Sequence, residues 1–242
     1  MKVFFVRHGQ TQANVENRPY KDIKEPLTEK GILQAKKAGE YLKRFGKFDL
    51  VISSPATRSI MTAENIMKEI DYNKKIKVDD LILEDITPNY AGLSHDEINI
   101  IEKNNIELQK ILTYYYKITD PFERQEYYKK NIDTVIKLSM GGESETKQFN
   151  KHKKFLSKLK KLNKKCILVV GHGGTINYMT RIITNTYVDM VNPIDIIDRN
   201  TRNNCISYKN DVNNTSIMGC LIKNNKTTLV IAPHTKHLDS LL

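Results

Sequence analysis

The apolar positions of this chain come in two rhythms. Dense runs at residues 2–6, 48–54, 76–83 and 165–171 predict strands. The last, with Cys166-Ile167-Leu168-Val169-Val170, is almost wholly apolar, as expected of a central strand covered on both faces. Residues 204–208, 216–222 and 227–231 read as further short strands separated by polar turns. Elsewhere the apolar residues recur at helical spacing. Ile32, Ala35, Ala38, Leu42 and Phe45 follow Leu27-Thr28, with Thr28 as the cap. Pro55 opens a second helix that turns Ile60, Ala63, Ile66, Met67 and Ile70 inward.

Strands leading into helices imply an α/β fold, a three-layer α/β/α sandwich with a mostly parallel central sheet. From about residue 94 to 165 the strands stop. Ile98, Ile101, Leu108, Ile111, Leu112 and Tyr115 keep helical spacing, Pro121 punctuates the block, and Gly141-Gly142 breaks it. We read a single domain, residues 1–242, with a helical insertion over the sheet edge, a lid being one option that the sequence leaves open. Residues 147–165 carry nine lysines and no acid around a stripe of Phe149, Phe155, Leu156, Leu159 and Leu162, the pattern of a solvated helix seated on the core.

Composition narrows the class. Hydrophobic residues make up 39% of 242, enough for a core at this length. No apolar run approaches the roughly 18 residues that span a bilayer, and the first run meets Arg7 and His8 too early for a signal-peptide core. Cys166, Cys205 and Cys220 are odd in number and widely spaced, which suggests neither disulfides nor structural zinc and fits a cytoplasmic location. The net charge of +11 follows from Lys-rich composition and favours an anionic small substrate. No nucleic-acid motif and no membrane segment is evident.

The chemistry gathers at strand ends. The first strand ends in Arg7-His8-Gly9, the second leads through Ser53-Ser54-Pro55 to Arg58, the third ends in Glu84, and the fourth in Gly171-His172-Gly173-Gly174. In an open parallel sheet, ligands bind beyond the carboxyl ends of the strands. Arginine forks match phosphoryl oxygens with paired hydrogen bonds, which suits Arg7 and Arg58. Glycines beside each His, Gly173 among them, let backbone approach a phosphate, and the helix start that follows favours an anion. His8 can attack phosphorus if neutral, His172 can donate to the equatorial oxygens, and Glu84 can protonate the leaving oxygen and then activate water. No acidic cluster or His-x-x-His spacing asks for a metal, and no cofactor is expected.

As an ordered set these stretches resemble the histidine phosphatase superfamily, the phosphoglycerate mutase-like family, over essentially the whole chain. The set is Arg7-His8-Gly9 with Thr11 and Asn14, then Leu27-Thr28-x-x-Gly31-x-x-Gln34-Ala35. Ser53-Ser54-Pro55-x-x-Arg58-x-x-x-Thr62-Ala63 comes next, then Leu83-Glu84 with Tyr90-x-Gly92-Leu93-Ser94-x-x-Glu97. Gly141-Gly142-Glu143-Ser144, Gly171-His172-Gly173-Gly174-Thr175 and a closing His237-Leu238 complete it. The resemblance implies His8 as phosphohistidine nucleophile, Arg7, Arg58 and His172 as the rest of the phosphate pocket, Asn14 as a secondary contact and Glu84 as proton donor, with Asp85 its adjacent alternative. Asp80 and Asp96 read as surface or capping residues. The insertion has neither the proline run nor the adjacent arginines of glycolytic mutases, which favours a phosphatase of a soluble phosphorylated metabolite, or of a phosphoprotein, over a phosphoglycerate mutase or sugar bisphosphatase. A catalytically silent binding protein would have lost one of Arg7, His8, Arg58 or His172, and all are present. Within the insertion, Lys117, Arg124 and the tyrosines at 114–116 either touch substrate or close a helix end. Oligomeric state is left open, with a dimer one option.

Overall fold

The computed structural model describes residues 1–84, 87–185 and 212–241. Among these, six strands form one sheet in the order β3-β2-β4-β1-β5-β6. The strands are β1 (Lys2–Arg7), β2 (Leu50–Ser53), β3 (Lys77–Val78), β4 (Cys166–Gly171), β5 (Ile217–Lys223) and β6 (Lys226–His234). β1 pairs parallel with β4, β4 with β2, and β2 with β3, while β5 runs antiparallel to both β1 and β6. The expected strand at 204–208, and Cys205 with it, lies outside the described residues.

Strand alternation sorts the core into two faces. Val3 and Phe5 of β1, with Ile167 and Val169 of β4, meet Phe155, Leu156 and Leu159 of α7 (Glu145–Lys160) and Ile176 and Met179 of α8 (Gly173–Thr184). Phe4 and Val6, with Leu168 and Val170, meet Ala38 and Leu42 of α2 (Glu29–Lys43) and Ala63 and Ile66 of α3 (Thr57–Glu69). This is the three-layer sandwich. Thr28 caps α2 by accepting from Gly31 N at 3.0 Å. Ala56, not Pro55, is the N-cap residue of α3. Cys166 and Cys220 are free and buried, and burial lifts their thiols to about 11 and about 12.

The third strand is shorter than the apolar run at 76–83 suggests. It stops at Val78, because Asp79 accepts from Leu81 N at 3.2 Å and turns the chain into a 3-10 helix, Asp80–Ile82. Lys158 of α7 pins the same carboxylate. Glu84 therefore sits beyond a turn, not on a strand end. The remaining helices are α1 (Gln12–Val15), α4 (His95–Asn104), α5 (Ile106–Lys117) and α6 (Pro121–Leu138). α5 and α6 bury a cluster of their own, including Leu108, Leu112, Tyr128, Ile132 and Val135. Ile101, one of the residues at helical spacing, is 41% exposed. Among the described residues no helix is long and apolar enough to cross a membrane.

One buried group on α7 lies outside the expected set. His152 is 2% exposed, stacks on Tyr178 at 4.7 Å, and donates Nδ1–H to Gln148 O at 2.8 Å. Burial drags its pKa from 6.5 to about 4. The unfolded chain thus takes a proton at pH 6.5 that the folded chain refuses until about pH 4. Stability is complete above pH 6.5 and falls by roughly 3 kcal/mol from this group as pH drops towards 4. His8 and His172, also depressed, push in the same direction. Urea unfolding at pH 7 and 4.5 checks this: His152→Phe, which keeps the stack, should lose less stability over that interval than the wild type. An equal loss would remove His152 from the account.

Candidate active site

β1 and β4 are neighbours, so their carboxyl ends bring His8 and His172 side by side, ring centroids 5.4 Å apart. Both are fully buried. His8 N donates to Gly171 O at 2.9 Å, and Gly9 N donates to Thr62 Oγ1 at 2.9 Å. Thr62 in turn donates to Arg58 O at 2.7 Å. The motif residues Thr62 and Arg58 thus tie α3 to the loop that carries His8. Gly9 has a different reason from the one its sequence suggests. A Cβ there would stand 2.4 Å from Gly31 O, so the glycine serves a close crossing of the His8 loop over the start of α2.

The tautomer of His8 follows from its partners. Nδ1 lies 2.8 Å from Gly9 O, a pure acceptor, so Nδ1 carries the hydrogen. Burial first, then the charges of Arg7, His172 and Arg58, hold its pKa well below 6.5. The ring is neutral and Nε2 bears the lone pair, the state a nucleophile needs.

Around that nitrogen stand cations and donors. Arg58, in the first turn of α3, is 1% exposed, and its Nη2 lies 3.7 Å from Glu84 Oε2. His172 Nε2 shares a 2.8 Å hydrogen bond with the Ser54 hydroxyl, and Nδ1 lies 3.4 Å from Glu84 Oε2. Arg7 is held by donation from Nη1 to Val212 O, with Nε near Gly173. In this pocket three buried guanidinium nitrogens, Arg7 Nε, Arg58 Nε and Arg58 Nη1, have no hydrogen-bond partner among the described residues, and His172 Nδ1 has only the long contact with Glu84. Orphaned buried donors are costly unless something supplies acceptors. A phosphoryl group has the oxygens they lack.

Glu84, with 29% of its side chain exposed, accepts from Gly174 N at the start of α8 at 3.4 Å. The helix start thus already holds a carboxylate. Burial raises the Glu84 pKa, but His172, Arg58 and His8 outweigh it and leave the group well below the usual carboxylate range. Lys151 steadies the approach to Glu84 by donating to Leu83 O at 3.5 Å and Glu143 Oε2 at 2.9 Å, which gives the Gly141-Gly142-Glu143-Ser144 stretch its place. Asp85 lies outside the described residues.

His8, Glu84 and His172 also have ligand-type atoms within 4.8 Å of one another, a grouping that sequence spacing did not reveal. Arg7 and Arg58 beside them oppose a cation there and favour an anion. Asn14 is present but turned: its Oδ1 accepts from Thr11 N at 3.2 Å and Asn214 Nδ2 at 3.0 Å, and its Nδ2 donates to the Tyr20 hydroxyl at 3.0 Å. Arg124 lies elsewhere, donating Nε to Ile118 O at 2.9 Å just beyond α5, and Tyr114 leans on Tyr127 at 4.8 Å, both closing a helix pair. His237 reaches Thr215 Oγ1 at 3.0 Å, and Thr215 N donates to His8 O at 3.2 Å, so the closing segment braces the His8 backbone.

Tyr20 is the site residue that sequence reading missed. It sits in a polar loop without periodicity, braced where Arg18 meets Glu25 at 2.9 Å. Its hydroxyl is 3.1 Å from His8 Nε2, and Arg58 Cζ lies 3.6 Å over its ring.

A family model described as histidine phosphatase superfamily (branch 1) matches residues 3–219. Among solved structures, a phosphoserine phosphatase from Entamoeba histolytica, in complex with phosphoserine, is 21% identical over 98% of each chain, with a TM-score of 0.67. A phosphoglycerate mutase from Bacillus anthracis is 19% identical over 98% of this chain and 95% of its own, TM-score 0.72. An alpha-ribazole phosphatase from Shigella flexneri is 19% identical over 97% of each, TM-score 0.68. These likenesses establish the fold.

Proposed function

Because this chain belongs to the histidine phosphatase superfamily, we propose that it is a phosphomonoesterase that hydrolyses a soluble phosphorylated metabolite through a phosphohistidine at His8. The observation that carries this reading is the set of unpartnered buried guanidinium nitrogens of Arg7 and Arg58 in the pocket of a neutral His8. His8 Nε2 attacks phosphorus, the P–O ester bond breaks, and the leaving oxygen takes a proton. Water then attacks the phosphohistidine and restores His8. The arginines and His172 hold the three equatorial oxygens as charge develops.

The proton needs a source. Glu84 is a carboxylate in the free enzyme. A phosphoryl group beside it adds negative charge and competes for Arg58, both of which raise its affinity for a proton. Substrate and Glu84 therefore share one proton, brought in by the monoanion of the ester, whose second pKa is about 6. His8 stays neutral well below pH 6.5, so it sets only the acid limb. We expect kcat/KM to level off in the mildly acidic range below about pH 6 and to fall tenfold per pH unit above about pH 7. Rates from pH 4 to 9 test this, and a profile flat or rising through pH 8 would remove the shared proton.

Phosphate release from a panel of sugar phosphates, bisphosphoglycerate, phosphoserine and phosphopeptides tests the activity itself. Isomerisation of phosphoglycerate without release from any of them would replace phosphatase by mutase.

A further inference from the structure

We propose that Tyr20 is a positioning residue that guards the nucleophile, holding the His8 lone pair between turnovers and releasing it when a phosphoryl group arrives. The inference rests on the phosphohistidine reading above. The direction of each hydrogen bond carries it. Asn14 Oδ1 is committed to Thr11 N and Asn214 Nδ2, so its Nδ2 faces Tyr20 and donates to the phenol oxygen at 3.0 Å. His8 spends its one ring hydrogen on Gly9 O. The Tyr20 O–H is then the only hydrogen left for the 3.1 Å contact with Nε2. That lone pair is the one that would form the N–P bond, so attack requires the contact to break.

Arg58 supplies the trigger. Its guanidinium stacks on the Tyr20 ring, and the unpartnered Nε and Nη1 face a site that invites an oxyanion. A phosphoryl group that binds these nitrogens and approaches Nε2 displaces the phenol from the line of attack. While the site is empty, the contact favours neutral His8 and keeps water from the lone pair.

Tyr20→Phe removes the hydroxyl and keeps the ring on Arg58. We expect kcat/KM to rise about fivefold, the worth of one hydrogen bond no longer broken before attack. The acid limb of kcat/KM should move to higher pH, because neutral His8 loses a donor that favoured it. Affinity for vanadate, a phosphoryl mimic, should rise in parallel, and the melting temperature should stay within a degree or two of wild type. A merely structural role would move the melting temperature and leave the acid limb in place. A fall in kcat/KM, or an unmoved acid limb, overturns the guard. If turnover by Tyr20→Phe survives a second change of His8→Ala, the phosphohistidine reading itself has failed.

Discussion

His8→Ala is expected to lower kcat by at least about 10⁴-fold, because the proposed covalent intermediate forms on its Nε2. The fold should survive. Among the described residues the ring hydrogen-bonds only to Gly9 O and the Tyr20 hydroxyl, while the backbone of the loop is held separately by Gly171, Thr62 and Thr215. Replacing the ring leaves a void bounded mostly by polar side chains, which water can fill. Circular dichroism and melting should therefore stay close to wild type while turnover disappears. Wild-type protein quenched in alkali during turnover of a ³²P-labelled substrate should carry a label that acid removes, as a phosphoramidate does. The alanine variant should carry none. Labelling of the variant at wild-type level would move the nucleophile to another residue.

How much of this was legible in the sequence depends on what each feature rests on. The sheet and its two helical layers were readable because β1 and β4 are apolar on both faces and α2 and α3 keep a clean apolar side. His8, Arg58 and His172 were readable because each follows a strand that the pattern already placed. Glu84 was expected at the end of the third strand, but a side-chain turn at Asp79 ends β3 at Val78 and sets Glu84 beyond that turn. Gly9 was noticed as a neighbour of His8, yet its role lies in contact with Gly31, twenty-two residues on, a relation no local pattern encodes. Tyr20 was invisible for the same reason. Its loop has no period, and its meaning comes from His8 just after β1 meeting side chains of α1 and α3 there. The proton state of Glu84 is likewise a product of the assembled cations, not of the residue type.

The same assembled charge makes Arg58 the residue at which activity and stability should part. Arg58 is 1% exposed, and its Nε and Nη1 have no hydrogen-bond partner among the described residues. For the empty protein, a buried guanidinium left so incompletely paired is a liability. For a bound phosphoryl group it is a ready fork. Arg58→Met keeps the length and the contact with the Tyr20 ring but removes the charge. We expect kcat/KM to fall about 10³-fold, as when a preorganised oxyanion donor is lost. The melting temperature without ligand should hold or rise, because the carboxylate that loses a cation, Glu84, keeps 29% of its side chain in solvent and its contact with Gly174 N. With Arg58 gone, Glu84 should also regain a proton at higher pH, since that guanidinium is one of the charges holding its pKa down. The decisive comparison adds inorganic phosphate. At a hundredfold excess over its Kd, phosphate should stabilise the wild type by about 2.7 kcal/mol and the Met variant hardly at all. A variant that melts lower yet keeps the full phosphate shift would show that Arg58 serves packing, and the anion site would have to be built without it.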